Sequence, residues 1–213
     1  PHKTVRRQRQ MCIRDRGPRI YSQASVPSGP SWDEVRQMLA MVEGDRPAEI
    51  RDRAILMLFA VYGLRAGDVR RLRLEDFDWE HETLTVSTSK MGHGRKCPLD
   101  RTVGDAVLKY LRTVRPPSAH REVFLTLHPP ARPMQYLYSL VARRLQLVSP
   151  SLPHKGPHAL RHACATHLLS TGLTLQEIGD HLGHRDPDAT RIYAKVDLVG
   201  LREVADFDLG GLL

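Results

Sequence analysis

The run AEIRDRAILMLFAVYG, residues 48–63, decides the fold class. From Ala54 to Val61 it is apolar nearly all round, which a helix tolerates only when other elements cover every side of it. Gly63 is the residue type that ends such a helix. The chain before it supplies one packing partner in SWDEVRQMLAMVEG (31–44). There Ser31 is placed to cap, Glu34 completes a capping box, Val35, Met38, Leu39 and Val42 share one face, and Gly44 is placed to stop the helix.

Beyond Gly63 the chain runs into LRAGDVRRLRLEDF, and the pattern then changes period. TLTVSTS (83–89) alternates and is rich in Thr and Val, MGHG (91–94) supplies turn residues, and RKCPL (95–99) returns as a second strand. From Asp100 helical spacing resumes in RTVGDAVLKYLR (101–112), MQYLYSLVARRLQLV (134–148), HALRHACATHLLSTG (158–172), TLQEIGDHLG (174–183) and LVGLREVADF (198–207). No internal repeat is present. The expected class is mainly α with one small antiparallel β-sheet, α+β.

A length of 213 residues with 41% hydrophobic content suffices for one domain with a sizeable core. No apolar run reaches the roughly 20 residues a membrane span needs, and no signal-like hydrophobic segment opens the sequence, so a cytoplasmic location is the expectation. Cys12, Cys97 and Cys164 are odd in number, widely spaced and without a CxxC pair, which argues against disulfides and a zinc ribbon. The formal charge is +8, but residues 1–19 hold seven Lys/Arg against one Asp, and subtracting that +6 leaves +2 for the body. Net charge therefore says little about partners.

HALRH (158–162) poses a choice between a metal site and a phosphate site. His158 and His162 share a helix face, as in the H-E-x-x-H zinc helix, but Ala159 stands where that motif needs its glutamate. Arg161 cannot ligate zinc and is shaped to grip a phosphate. Six of the eleven histidines fall between His154 and His184, yet no metal and no cofactor are expected.

Four stretches complete the pattern: YGLRAGD (62–68), TSKMGHGRK (88–96), HALRH (158–162) and LGHRDPDATRIYAKVD (182–197). In this order and spacing they resemble the tyrosine recombinase, or phage integrase, family over roughly Ser31 to Asp197. The resemblance implies that family's catalytic-domain fold and a site-specific DNA recombinase that cleaves and rejoins strands through a 3′-phosphotyrosyl intermediate.

By the same resemblance Arg65 and Arg161 clamp the scissile phosphate. Physical chemistry agrees, because guanidinium groups donate paired hydrogen bonds to the nonbridging oxygens that gain charge in the transition state. Tyr193 matches the nucleophile, a phenol of ordinary pKa about 10 that needs help from its neighbours. His158 matches the residue that accepts or relays its proton, and His184 the one that hydrogen-bonds a phosphate oxygen. Lys90, at the hairpin turn, matches the lysine that protonates the departing 5′ oxygen; Lys96, on the return strand, is its competitor. Asp68 matches an acidic supporting position, where glutamate is common. His162 is expected to pack in the core.

The implied partners are double-stranded DNA and further copies of the chain, as a tetramer on DNA, with no membrane. Residues 1–30 are expected to be a basic leader and linker, or the remnant of the N-terminal DNA-clamping domain of about a hundred residues that the family places there. Residues 31–197 are expected to form the catalytic domain, and 198–213 a C-terminal helix or tail that is either exchanged between protomers or packed on its own domain, where Leu198, Leu201 and Val204 make a short apolar stripe. Two readings compete: a non-catalytic DNA-binding regulator using STGLTLQEIGDHLGH (170–184) as a helix-turn-helix, and a topoisomerase-like relaxation by the same tyrosine chemistry.

Overall fold

A computed structural model of the chain describes residues 28–87, 94–184 and 188–196. Eight helices and a small sheet are seen among the described residues: α1 Trp32–Ala40, α2 Pro47–Tyr62, α3 Ala66–Arg71, β1 Phe77–Asp78, β2 Thr83–Ser87, β3 Gly94–Pro98, α4 Arg101–Thr113, α5 Tyr138–Val148, α6 Pro157–Ser170, α7 Leu175–Leu182 and α8 Asp188–Arg191. Two 3-10 turns, Leu74–Asp76 and Ile192–Val196, complete the path. The expected leader, residues 1–27 of it, lies outside the described residues, as does the C-terminal segment from Asp197.

Helix α2 is the centre, as its all-round apolarity requires. Eleven of its sixteen residues are buried, and it packs against α1, α3, α4 and α6. Pro47 stands in its first turn, and Gly63 ends it in the left-handed conformation (φ 56°), which costs a glycine little. The buried acid Asp52 is paired with Arg51 at 2.8 Å and with Arg144 of α5 at 3.7 Å, so no uncompensated charge enters the core. The hydroxyl of Tyr62 donates to the Pro98 carbonyl (2.9 Å) and accepts from the Asp100 amide (2.7 Å), tying α2 to the end of β3 and the start of α4. Asp100 in turn caps α4 through the amides of Thr102 and Val103.

The capping box of α1 forms, with Ser31 and Glu34 each accepting from the other's backbone amide. Its helix stops at Ala40, however, before Gly44. The chain must turn there to deliver α2, and a side chain at Gly44 would run into the Glu49 carboxylate. Helix α5 likewise begins at Tyr138 rather than Met134, because the Met134 amide bonds the Phe124 carbonyl (3.0 Å) and Leu125 bridges Pro133. That pairing holds residues 133–134 extended.

The sheet is antiparallel in the order β1-β2-β3. β2 and β3 form the hairpin read from the sequence, with Thr85 opposite Lys96 and Ser87 opposite Gly94. β1 adds a two-residue third strand that short length conceals from pattern reading. Leu84 and Val86 of β2 point into the core. At the other end, α6 stacks His167 on Trp32 of α1 at 3.9 Å and turns through Thr171–Thr174 into α7. Among the described residues, no helix is long and apolar enough to cross a membrane.

Candidate functional site

The site is assembled where α2 and α7 end against α6. Arg161, one turn into α6 and 3% exposed, donates from Nη1 to the Gly63 carbonyl and from Nη2 to the Leu182 carbonyl (3.0 Å). Both acceptors sit at helix C-termini, where unpaired carbonyls concentrate negative charge and attract a cation. Burial, then the charge of Arg65, lowers the Arg161 guanidinium to about 10, still a cation at neutral pH.

Arg65 caps the N-terminus of α3, two residues past Gly63, and is exposed. Among the described residues no hydrogen bond or ion pair engages its guanidinium. His158, second residue of α6 behind Pro157, also faces solvent. These three side chains line one pocket of about 230 Å³ together with Leu64, Ala66, Pro157 and Tyr138. Tyr138, 61% exposed, is a wall of this pocket that sequence reasoning missed; its place at the start of α5 gives no local signal. The partly sheltered imidazole of His158 is lowered below its usual range by desolvation and then by the charges of Arg161 and Arg65.

His184 follows Gly183, whose left-handed conformation (φ 67°) closes α7. Its Nδ1 lies 2.6 Å from the buried hydroxyl of Thr190, which fixes the ring. It lines a neighbouring recess of about 200 Å³ with Gly179 and Asp180 rather than the arginine pocket itself. Burial, followed by Arg161, Arg65 and His158, brings it down to about 4.

Tyr193 lies in the last 3-10 turn and is 2% exposed, packed with Cys164, Ala165, Ile178 and Leu182. Burial pushes its phenol up to about 12, with Arg161 pulling the other way. Its hydroxyl is 2.9 Å from Nδ1 of His162, and among the described residues no hydrogen bond joins it to His158. His162 is therefore more than core filling: it is only partly buried, and its ring meets the ring of His158 edge-on at 4.4 Å. The i, i+4 spacing placed the two histidines on one face, which is the signal that could have found it.

Asp68 is buried and accepts from Nη2 of Arg71 at 2.8 Å; its backbone amide, not its carboxylate, bonds Arg65, at the carbonyl. Lys90 lies outside the described residues, and Lys96 is exposed on β3. Next to Lys96, Arg95 reaches from β3 to the carbonyls of Asp180 (2.9 Å) and His181, tying the hairpin to the end of α7. Cys164 is buried, and desolvation raises its thiol to about 12, which removes it as a nucleophile. Among the described residues no group of three or more His, Cys, Asp or Glu side chains converges as metal binding would require.

The sequence profile described as the phage integrase family matches residues 31–198. Among curated proteins, y4gC of Sinorhizobium fredii, a provisionally named integrase/recombinase, is 42% identical over 188 residues, covering 87% of this chain and 97% of that protein. Tyrosine recombinase XerA of Pyrococcus horikoshii is 30% identical over 183 residues, covering 85% of this chain and 61% of XerA. Apart from y4gC, the chain spans about half to three-fifths of the curated relatives it matches. Among solved structures, the XerH site-specific recombinase bound to its difH substrate superposes with a TM-score of 0.73 at 23% identity, over 86% of this chain and 54% of XerH. That likeness shows the fold to be the tyrosine recombinase catalytic-domain fold.

Proposed function

The chain belongs to the phage integrase family, and on that premise we propose that residues 31–197 are the catalytic domain of a tyrosine-type site-specific DNA recombinase. The observation that supports this most is the meeting of Arg65, His158 and Arg161 at one pocket, with Tyr193 held against the same helix. In the proposed reaction the Tyr193 oxygen attacks phosphorus, an O–P bond forms, and the P–O5′ bond breaks. The 3′-phosphotyrosyl ester stores the bond energy for rejoining to another 5′ hydroxyl.

Arg65 has a fork of donors that no described residue engages, open to the nonbridging oxygens, and Arg161 keeps N–H groups beyond the two that bond carbonyls. Their charge does the work that a divalent cation does in other phosphoryl transfers, so no cofactor belongs to the proposal. His158 relays the tyrosine proton, Nε2 of His184 bonds a phosphate oxygen while Thr190 holds Nδ1, and Lys90 protonates the leaving 5′ oxygen. Asp68 supports the clamp by ordering Arg71 and the first turn of α3. The partner is double-stranded DNA in the cytoplasm, bridged by a homo-tetramer in which residues 198–213 pass to a neighbour; binding rests on phosphate contacts and weakens with salt.

A regulator reading DNA through the α6–α7 turn is the weaker reading. The exposed positions of α7 include Gln176, Glu177 and Asp180, and two carboxylates there repel a phosphate backbone. Pooled nicked duplexes in EDTA test the proposal. A covalent protein–DNA adduct with the wild type and none with Tyr193→Phe is expected; DNA binding without adduct from either protein would contradict it.

A further inference from the structure

We propose that His162, rather than His158, takes the proton directly from Tyr193, and that His158 passes it outward to the pocket. This rests on the reading of Tyr193 as the nucleophile. The geometry carries it: Nδ1 of His162 is 2.9 Å from the phenol oxygen, while among the described residues no hydrogen bond joins His158 to the phenol and the ring of His158 meets that of His162 at 4.4 Å. His158 faces solvent beside Arg65 and Arg161, and Tyr193 is enclosed. The three groups therefore run in series from a buried nucleophile to an open pocket.

At neutral pH both partners of this hydrogen bond are uncharged. Burial, then His158 and Arg161, holds His162 down to about 4, so at neutral pH it is uncharged and has one acceptor nitrogen. The Tyr193 phenol keeps its proton up to about 12. In the proposed arrangement the phenol donates, Nδ1 accepts, and the ring hydrogen of His162 sits on Nε2. The charged and titratable groups facing this imidazole are His158 and Arg161 from α6 and Tyr193 from the last turn; Gly29, packed against its Cβ, brings none.

The step balances without an added reactant. As the tyrosine oxygen bonds phosphorus, its proton moves to Nδ1 of His162, the Nε2 proton is released toward His158, and the P–O5′ electron pair leaves on the 5′ oxygen, which Lys90 protonates. A base removed from such a position costs about 10²–10⁴-fold in rate. His162→Asn is the sharp test, since its amide oxygen falls near the place of Nδ1 and accepts the bond but cannot take the proton.

Single-turnover cleavage of a nicked duplex by the full chain is expected to slow at least about hundredfold in His162→Asn, with DNA affinity unchanged and with a rate that now climbs with hydroxide up to high pH. Equal rates and pH profiles for His162→Asn and wild type, with adduct formed by both and lost in Tyr193→Phe, would overturn this proposal and leave the nucleophile standing. No adduct from the wild type would instead overturn the reading beneath it. Should the variant fail to fold, ¹⁵N-histidine spectra of the wild type decide: the Nε2–H tautomer of His162 is expected, and an Nδ1–H tautomer overturns the proposal.

Discussion

Arg161 hydrogen-bonds the carbonyl of Gly63, ninety-eight residues earlier in the chain. A second bond to Leu182 makes this buried guanidinium a joint between the ends of α2 and α7, beside the direct contact of His181 Nε2 with the Val61 carbonyl (2.9 Å). The residue that the proposed chemistry needs for phosphate is thus also one the fold needs, and removing it has two separable effects. Arg161→Leu leaves two carbonyls without partners and is expected to cost about 2–4 kcal/mol of stability, read from denaturant midpoints. Arg161→Lys, which cannot reach both carbonyls from one planar fork, is expected to recover part of the stability but little of the cleavage rate.

Gly63→Ala tests the same joint from the backbone side. A Cβ there would lie 2.5 Å from Cδ2 of Leu182, on a residue with φ of 56°. Strain plus clash is expected to destabilise by about 2–3 kcal/mol and to shift the carbonyl that holds Arg161, lowering adduct yield at temperatures where the fold persists. A melt unchanged from wild type would refute the packing described.

Much of this was legible in the sequence. The apolar girth of residues 54–61 called for a buried helix, the Ser31–Glu34 box marked where the folded domain starts, and Arg65, His158, Arg161, His184 and Tyr193 each stood in a recognisable short motif. Those motifs are local, so their order in the chain revealed them. The Tyr193–His162 contact spans 31 residues and Arg95 reaches 85 residues to α7; such pairings depend on how helices pack, which no local period encodes. The stop of α1 at Ala40 and the late start of α5 at Tyr138 have the same origin, since tertiary contacts at Glu49 and Phe124 override the local pattern.

Acid should weaken the fold in a definite window. His162 and His184 are held down to about 4, and His158, His167 and His181 are also lowered, in each case chiefly by burial. The unfolded chain takes up protons at these rings near 6.5, whereas in the folded chain His162 and His184 resist until near 4 and the other three are held below their ordinary value. Below about 6.5 the unfolded state therefore binds more protons, and stability falls as pH drops toward 4. On the order of 1–3 kcal/mol each from His162 and His184 is expected. Denaturant curves at pH 7.5, 5.5 and 4.5 check this; a flat profile across that range would contradict the burial of the histidine cluster.

Arg95→Ala should separate stability from positioning. Losing the bonds to the Asp180 and His181 carbonyls is expected to cost only about 1–2 kcal/mol, because the acceptors lie near solvent. Cleavage should fall more than stability does, since the hairpin that carries Lys90 is then no longer tied to the turn that carries His184. The check is a melting curve beside single-turnover cleavage of the same preparation; equal, small losses in both would show the tie to be structural only.

Tyr193 is proposed as the residue that becomes bonded to DNA, although it is almost fully buried while Tyr138 stands exposed in the wall of the arginine pocket and Tyr136 is exposed two residues before it. Trapping the adduct on a nicked duplex, digesting both components and sequencing the peptides by mass spectrometry tests it most directly. A nucleotide phosphodiester is expected on the Ile192–Tyr193–Ala194 peptide alone. A modification on Tyr136, Tyr138 or any other residue, with Tyr193 untouched, would contradict it.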